Sequence, residues 1–212
     1  MSRYISIACF VIATSVTPMG IAQGALRVSN IGQTPNGNGF VGSDSWIAQN
    51  FFILASDPND YTLNTVDLLM NSAAGNPGDF EASIYSGVAG GAPNTFLGSL
   101  SGSDNPSVGG VHSYTASGIT LTGGVGYFVV VTSATPLAQG AYDWSASDSF
   151  TQNGSWVINH QYATSSDGSA WQVSARDEAF QMALYATVVP EPTSLALLGL
   201  GSLALVMVRR RR

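Results

Sequence analysis

The chain has 212 residues, of which 9% are charged, 45% hydrophobic and 10% aromatic, and its formal net charge is −6. A soluble domain ordinarily carries roughly 25% charged residues; here there is no lysine at all, which excludes nucleic-acid binding, since that needs a basic stripe to displace counterions from phosphates. The apolar and aromatic content is enough to bury a core, which excludes a disordered chain, and the length suits one domain.

In chain order, Arg3 precedes an apolar run from Tyr4 to Ala13, followed by Pro18 and the small residues Gly20, Ala22 and Gly24. A positive start, short apolar core, helix breaker and small residues form the order of a secretory signal peptide. The expectation is a helical signal over residues 1–24, removed by signal peptidase after Ala22 or Gly24. The run is too short to span a bilayer. Cys9, the sole cysteine, departs with it, so the exported chain has no disulfide or thiolate ligand and depends on packing and hydrogen bonds.

Residues 25–188 read as one extracellular domain. The stretch from Ala25 to Asp44, with Pro35-Asn36-Gly37-Asn38-Gly39 inside it, predicts a loop-rich lead-in strand. From Trp46 onward, short β-branched and aromatic runs alternate with Gly, Pro, Asn, Asp and Ser clusters, the pattern of an all-β fold. Strands are predicted at Ile47 to Leu54, Thr62 to Asn71, Glu81 to Tyr85, Phe96 to Leu100, His112 to Ala116, Tyr127 to Ser133, Ala141 to Ala146, Ser155 to Ile158 and Gln181 to Val188. In the second of these, Leu63, Thr65 and Asp67 alternate with Asn64, Val66 and Leu68, while Leu68-Leu69-Met70 and Phe128-Val129-Val130-Val131 are continuous and predict burial on both faces. The fold class expected is an antiparallel β-sandwich, jelly-roll-like, flanked by the signal helix and a C-terminal transmembrane helix.

Within this domain no catalytic constellation is recognisable, and the chain reads as non-enzymatic. The domain's two histidines, His112 and His160, fall beside a Gly-Gly turn and after a predicted strand, and Gly98-Ser99-Leu100-Ser101-Gly102 has leucine where a nucleophile would stand. A secreted hydrolase would have to use such histidines, or carboxylates such as Asp79 and Glu81 or Asp177 and Glu178. Asp57-Pro58-Asn59-Asp60 offers the oxygens of Asp57, Asn59 and Asp60 to Ca²⁺, without the Gly and Glu of an EF-hand loop. Structural Ca²⁺ is thus the one cofactor the composition leaves open. Among the aromatics at the end of the domain, Trp171, Trp156 and Tyr162 are candidates for stacking on sugar rings, with Trp171 the most loop-like; the competing role is core filling. A carbohydrate-binding module is therefore the main alternative to a structural or adhesive protein.

The tail reads Pro190-Glu191-Pro192, an apolar helix over residues 194–208, and Arg209, Arg210, Arg211 and Arg212. Fourteen apolar or small residues give a helix of about 21 Å, short against a hydrocarbon core of roughly 30 Å. The arginines orient it by the positive-inside rule, leaving the domain outside. Between Ala25 and Val189, two positive charges face twelve acidic ones, so the exported part is near −10.

Taken together, residues 189–212 resemble the PEP-CTERM sorting signal of Gram-negative bacteria, a tail also catalogued as the C-terminal region of ice-binding proteins. The resemblance implies export, transient insertion in the inner membrane, recognition by an exosortase, and delivery to the cell surface or an exopolysaccharide matrix. The central region, through Ala48-Gln49-Asn50-Phe51, Ala82-Ser83-Ile84-Tyr85-Ser86, Gly91-Ala92-Pro93 and Gly126-Tyr127-Phe128-Val129-Val130, resembles the choice-of-anchor R domain, which implies an extracellular β domain with no catalytic residues to assign. The partners expected are signal peptidase, exosortase, the membrane in passing and an exopolysaccharide.

Overall fold

Runs of β-branched and aromatic residues interrupted every few positions by Gly, Pro, Asn or Asp cannot sustain a helix and instead pair side by side. A computed structural model describes residues 24–174 and 177–190, with no helix among them; the signal and tail helices expected from the sequence lie outside these residues. The strands are β1 (Ala25–Ser29), β2 (Gly37–Val41), β3 (Trp46–Phe52), β4 (Tyr61–Gly75), β5 (Glu81–Gly87), β6 (Pro93–Ser99), β7 (Gly110–Thr115) and β8 (Thr120–Leu121). They continue as β9 (Gly126–Thr132), β10 (Gly140–Ser147), β11 (Asn153–Gly154), β12 (Val157–Ser165), β13 (Gln172–Val173), β14 (Ala179–Phe180) and β15 (Met182–Val188).

All pairings are antiparallel and form two sheets. The hub of the nine-stranded sheet is the long β4. One side of it carries β15 against residues 61–68 and β10 against residues 70–75; the other carries β8 and β7. The six-stranded sheet runs β13-β12-β3-β9-β5-β6. Leu63, Val66, Leu68, Tyr142, Trp144 and Leu184 from the first sheet meet Ile47, Phe51, Ile84, Val129 and Val131 from the second in one buried cluster.

Three sequence expectations need correction. The lead-in segment holds two strands, β1 and β2, which join opposite parts of the nine-stranded sheet; their Gly and Asn content hid them. In β4, Leu63 faces the core together with Val66 and Leu68, because Asn64 is an unopposed bulge residue between the pairs Leu63–Ala186 and Thr65–Tyr185, and a bulge resets the period-2 pattern. The strand expected at Ser155 to Ile158 instead spans residues 157–165, and its own irregularity between Ile158 and Tyr162 masked its length. By contrast, β9 is buried along its whole length, as its continuous apolar run predicts.

Buried amides take over where the ladders break. Gln181, between β14 and β15, accepts Ser145 Oγ–H at 2.8 Å and donates from Nε2 to the carbonyls of Gln33 (2.9 Å) and Asn30 (3.2 Å). Gln49 accepts Phe180 N–H at 2.8 Å and donates to Asn159 O at 2.6 Å, linking the two sheets. Asn30 holds Met182 N–H and Phe180 O at 2.8 and 3.1 Å. Each side chain satisfies backbone groups that would otherwise be buried unpaired.

Candidate functional site

Two places on the sandwich carry functional potential, and strand register puts them at opposite ends. The first is where the chain enters and leaves. Ala25 pairs with Ala186, so β1 begins beside the end of β15, and Val189 N–H donates to Asp60 O at 2.8 Å immediately before Pro190. Arg27 fastens this corner: its Nε donates to Ala186 O at 3.0 Å, and its guanidinium lies 4.6 Å above the ring of Tyr61. Tyr61 in turn donates its hydroxyl to Asp57 at 2.6 Å.

The second is the outer face of the six-stranded sheet. Alternation turns Ala48, Phe128, Val130 and Ala163 away from the main core, yet all four are buried. Half-buried Trp46, Tyr85 and Trp171 pack against them and close over this second cluster. The rows follow the register: Ala163, Ala48 and Val130 lie side by side, as do Asn50, Phe128 and Tyr85. Phe96 of β6 continues the second row, edge-on to Tyr85 at 5.4 Å.

At the Trp46 end of β3, where the turn before it meets the end of β12 and β13, is a shallow cleft of about 310 Å³ whose described lining is Asp44, Ser45, Thr164, Ser165, Ser166, Ala170 and Gln172; register turns Thr164 and Gln172 to the face opposite Trp171. Its loop is internally braced. Asp167 accepts the N–H and Oγ–H of Ser169, both at 2.8 Å, and the Ser169 N–H foremost holds the carboxyl below its ordinary range. Ser165 Oγ accepts Gly168 N–H at 3.0 Å. Gly168 has φ of 76°, and a Cβ there would come within 2.7 Å of the Trp46 ring, so only glycine lets this loop lie flat on the indole. Trp46 Nε1 donates to Ser43 O at 3.1 Å. Ser165 pairs with Trp46 at the start of β3, whereas the chain ends lie beyond its other end, past Phe52.

The sequence candidates scatter across this framework. Trp171 is half-buried against the outer cluster of Ala48, Phe128, Val130 and Ala163 and does not line the cleft. Trp156 is 1% exposed, with Phe51 stacked at 6.1 Å and Tyr61 edge-on at 5.1 Å, which leaves no ring face for a sugar. Tyr162 turns inward and meets Phe180 edge-on at 5.0 Å. Both are core residues, because the long β12 and the turn before it direct them between the sheets. His112 lies in β7 with Nε2 2.8 Å from Val108 O, and His160 lies within β12, not after it, stacked on Phe150 at 3.8 Å. The two histidines therefore belong to different sheets.

At the proposed calcium turn, both carboxylate oxygens of Asp57 are engaged: one by Tyr61 O–H, the other by Asn59 N–H and Nδ2–H at 3.1 and 2.9 Å. The Tyr61 hydroxyl foremost holds Asp57 below the usual carboxylate range. No group of three His, Cys, Asp or Glu side chains placed to hold a metal ion occurs among the described residues. The lining of the cleft was missed because its serines, threonine and glutamine are too common in the sequence to stand out; the Ser-Ser-Asp-Gly run before Trp171 was the one available signal.

The chain end at β15 gives the clearest outside comparison. Residues 188–212 match the PEP-CTERM protein-sorting motif. The match begins at the last residue of β15, so the folded domain runs directly into it; of the sorting residues, Pro190 is described, while Glu191, Pro192 and Arg209 to Arg212 lie outside the described residues. The motif implies an exosortase-targeted protein, exported through a membrane-anchored intermediate to the cell surface. No curated protein matches the chain.

Proposed function

We propose that this protein is a non-enzymatic surface or matrix component. On this reading a signal peptide is removed at the first end and an exosortase cuts near Pro190. The sandwich, jelly-roll-like and akin to choice-of-anchor R domains, is then retained with an exopolysaccharide. The observation that supports this reading is that the described fold reaches the sorting motif: β15 ends at Val188, Val189 N–H donates to Asp60 O, and the motif match spans residues 188–212. The domain's charge near −10 keeps it soluble outside the cell and repels it from anionic surfaces.

Deleting Pro190 to Pro192 tests the route. The expected outcome is full-length protein accumulating in the inner-membrane fraction, with loss of the processed form from the surface. Unchanged release of a shortened protein would refute exosortase processing.

A further inference from the structure

We infer that the end of the sandwich where the chain enters and leaves is a lipid-contacting surface: while the tail anchors the protein, the loops 53–60, 87–92 and 122–125 rest on the bilayer that holds it. The inference rests on the membrane-anchored intermediate and not on the matrix role. Ladder register gathers these loops. Phe52, Gly126 and Gly87 lie side by side, so the loops that follow β3 and β5 and precede β9 project from one end of the six-stranded sheet. Gly124 N–H donates to Ile53 O at 3.0 Å, and Trp156, next to the pair Val157–Phe52, meets the ring of Tyr61 at the start of β4. Val189 N–H reaches Asp60 O. Both sheets therefore end together where the tail begins.

The side chains at the two ends of the sandwich differ. At the exit end Leu54 is 44%, Val88 75% and Val188 43% exposed, and Ala55, Pro58 and Ala89 are exposed with them. Single exposed apolar residues are ordinary on a soluble domain; these share one end. Val108 and Leu137 are exposed at the other end, but Asp44, Asp79, Asp104 and Asp167 stand in the loops there, with Leu137 N–H donating to Asp44 at 2.9 Å and Phe80 N–H to Asp104 O at 2.7 Å. The exit end has two acids, Asp57 and Asp60, and the guanidinium of Arg27; both oxygens of Asp57 are already engaged. An anionic leaflet thus repels the far end more than the exit end. Side chains that project from one end need not touch one another to enter a bilayer, whereas a protein partner buries a continuous patch.

Chain length brings this end to the lipid. From Val189 to Leu195, where the apolar run of the tail opens, there are six residue steps, at most about 20 Å of extended chain. The headgroup layer takes up about 6 Å of that. Held so close, the loops meet lipid at a high effective concentration, and a contact too weak to recruit a free protein is occupied. Cutting the tail removes the tether, and the charge of the domain, near −10, then favours release from an anionic leaflet. Exosortase cleavage would switch the domain from docked to free.

The test uses the tail-bearing protein from cells without exosortase activity, reconstituted in vesicles of phosphatidylethanolamine with a minor share of phosphatidylglycerol. In a Cys9→Ser background, Ser56→Cys at the exit end and Ser166→Cys at the far end each carry a polarity-sensitive fluorophore. The expected result is blue-shifted emission at position 56 that a lipid-borne quencher reduces, with the label at position 166 unaffected. The double variant Leu54→Asp with Val88→Asp, at two exposed positions, should lose the quenching while its urea unfolding matches the parent. Processed protein should stay in solution with the same vesicles. Equal quenching at both positions, quenching at neither, or quenching at position 56 that survives the double variant would overturn the inference, and flotation of the processed protein would overturn the switch. Tail-bearing protein that fails to float with the vesicles defeats the anchored intermediate and this inference with it; protein that floats without quenching defeats the inference alone and leaves the sorting route standing.

Discussion

The outer face of the nine-stranded sheet is tied together by polar cross-strand pairs, whereas that of the six-stranded sheet is tied by a small apolar cluster. On the first, Asp143 of β10 accepts Asn38 Nδ2–H of β2 at 2.9 Å and Asn71 Nδ2–H of β4 at 3.1 Å, and Asp67 accepts Ser113 Oγ–H of β7 at 2.6 Å. On the second, Ala48, Phe128, Val130 and Ala163 lie under Trp46, Tyr85 and Trp171. A face that meets water can hold its strands with hydrogen bonds that water would also make. A face that excludes water must cover its apolar side chains, here with half-buried Trp46, Tyr85 and Trp171.

The contrast is broken most directly at Phe128, which is 0% exposed although it points away from the main core. Phe128→Ala should lower the unfolding free energy by about 3 to 5 kcal/mol in urea titrations, as for a central core residue. A loss below about 1 kcal/mol would mean that the outer cluster is ordinary surface. Next in size is Gly168→Ala, which combines a left-handed backbone with a Cβ driven toward the Trp46 ring; about 2 kcal/mol should be lost, with a change in tryptophan emission. On the polar face, Asp143→Ala removes the acceptor of one exposed and one half-buried amide, Asn38 and Asn71, and should cost only about 1 kcal/mol, measured in the same titration.

The smallest effect compares the faces through their tyrosines. Burial foremost raises Tyr85 on the apolar face, with Glu81 adding to it; burial again leads at Tyr185, followed by the charge of Asp67. A phenol whose folded pKa is raised stabilises fully below the unfolded value, near 10, and that stability is lost as pH rises through the folded value. Stability should therefore be flat up to about pH 10 and fall above it. Tyr85→Phe and Tyr185→Phe should each flatten the fall, which chemical denaturation from pH 8 to 11 would reveal.

Much of this fold was legible in the sequence where burial was two-sided. Phe128 to Val131 announced β9 because a strand covered on both faces has no reason to alternate. The candidate core aromatics Trp156 and Tyr162 were visible as large apolar residues, but not their orientation, since the irregularity in β12 decides which face each meets. Asn64 shifted the pattern of β4 in the same way. The roles of the amides Asn30, Gln49 and Gln181 were not legible, because their value lies in backbone groups distant in sequence, up to 152 positions away. The site was half legible. The Ser-Ser-Asp-Gly loop that borders the cleft stood out, while Asp44 and Ser45 reach the cleft only through the pairing of β3 with β12.

The pairing of β15 along β4 also sets how the domain bears load. A pull between the tail and the far end of the sandwich runs parallel to these strands. The seven registered pairs from Met182–Leu68 to Val188–Tyr61 are then stressed together in shear, and no single hydrogen bond can be peeled before its neighbours. A domain pulled between Val189 and the opposite end of β4 is oriented to resist like a lap joint, in the direction in which its strands are strongest.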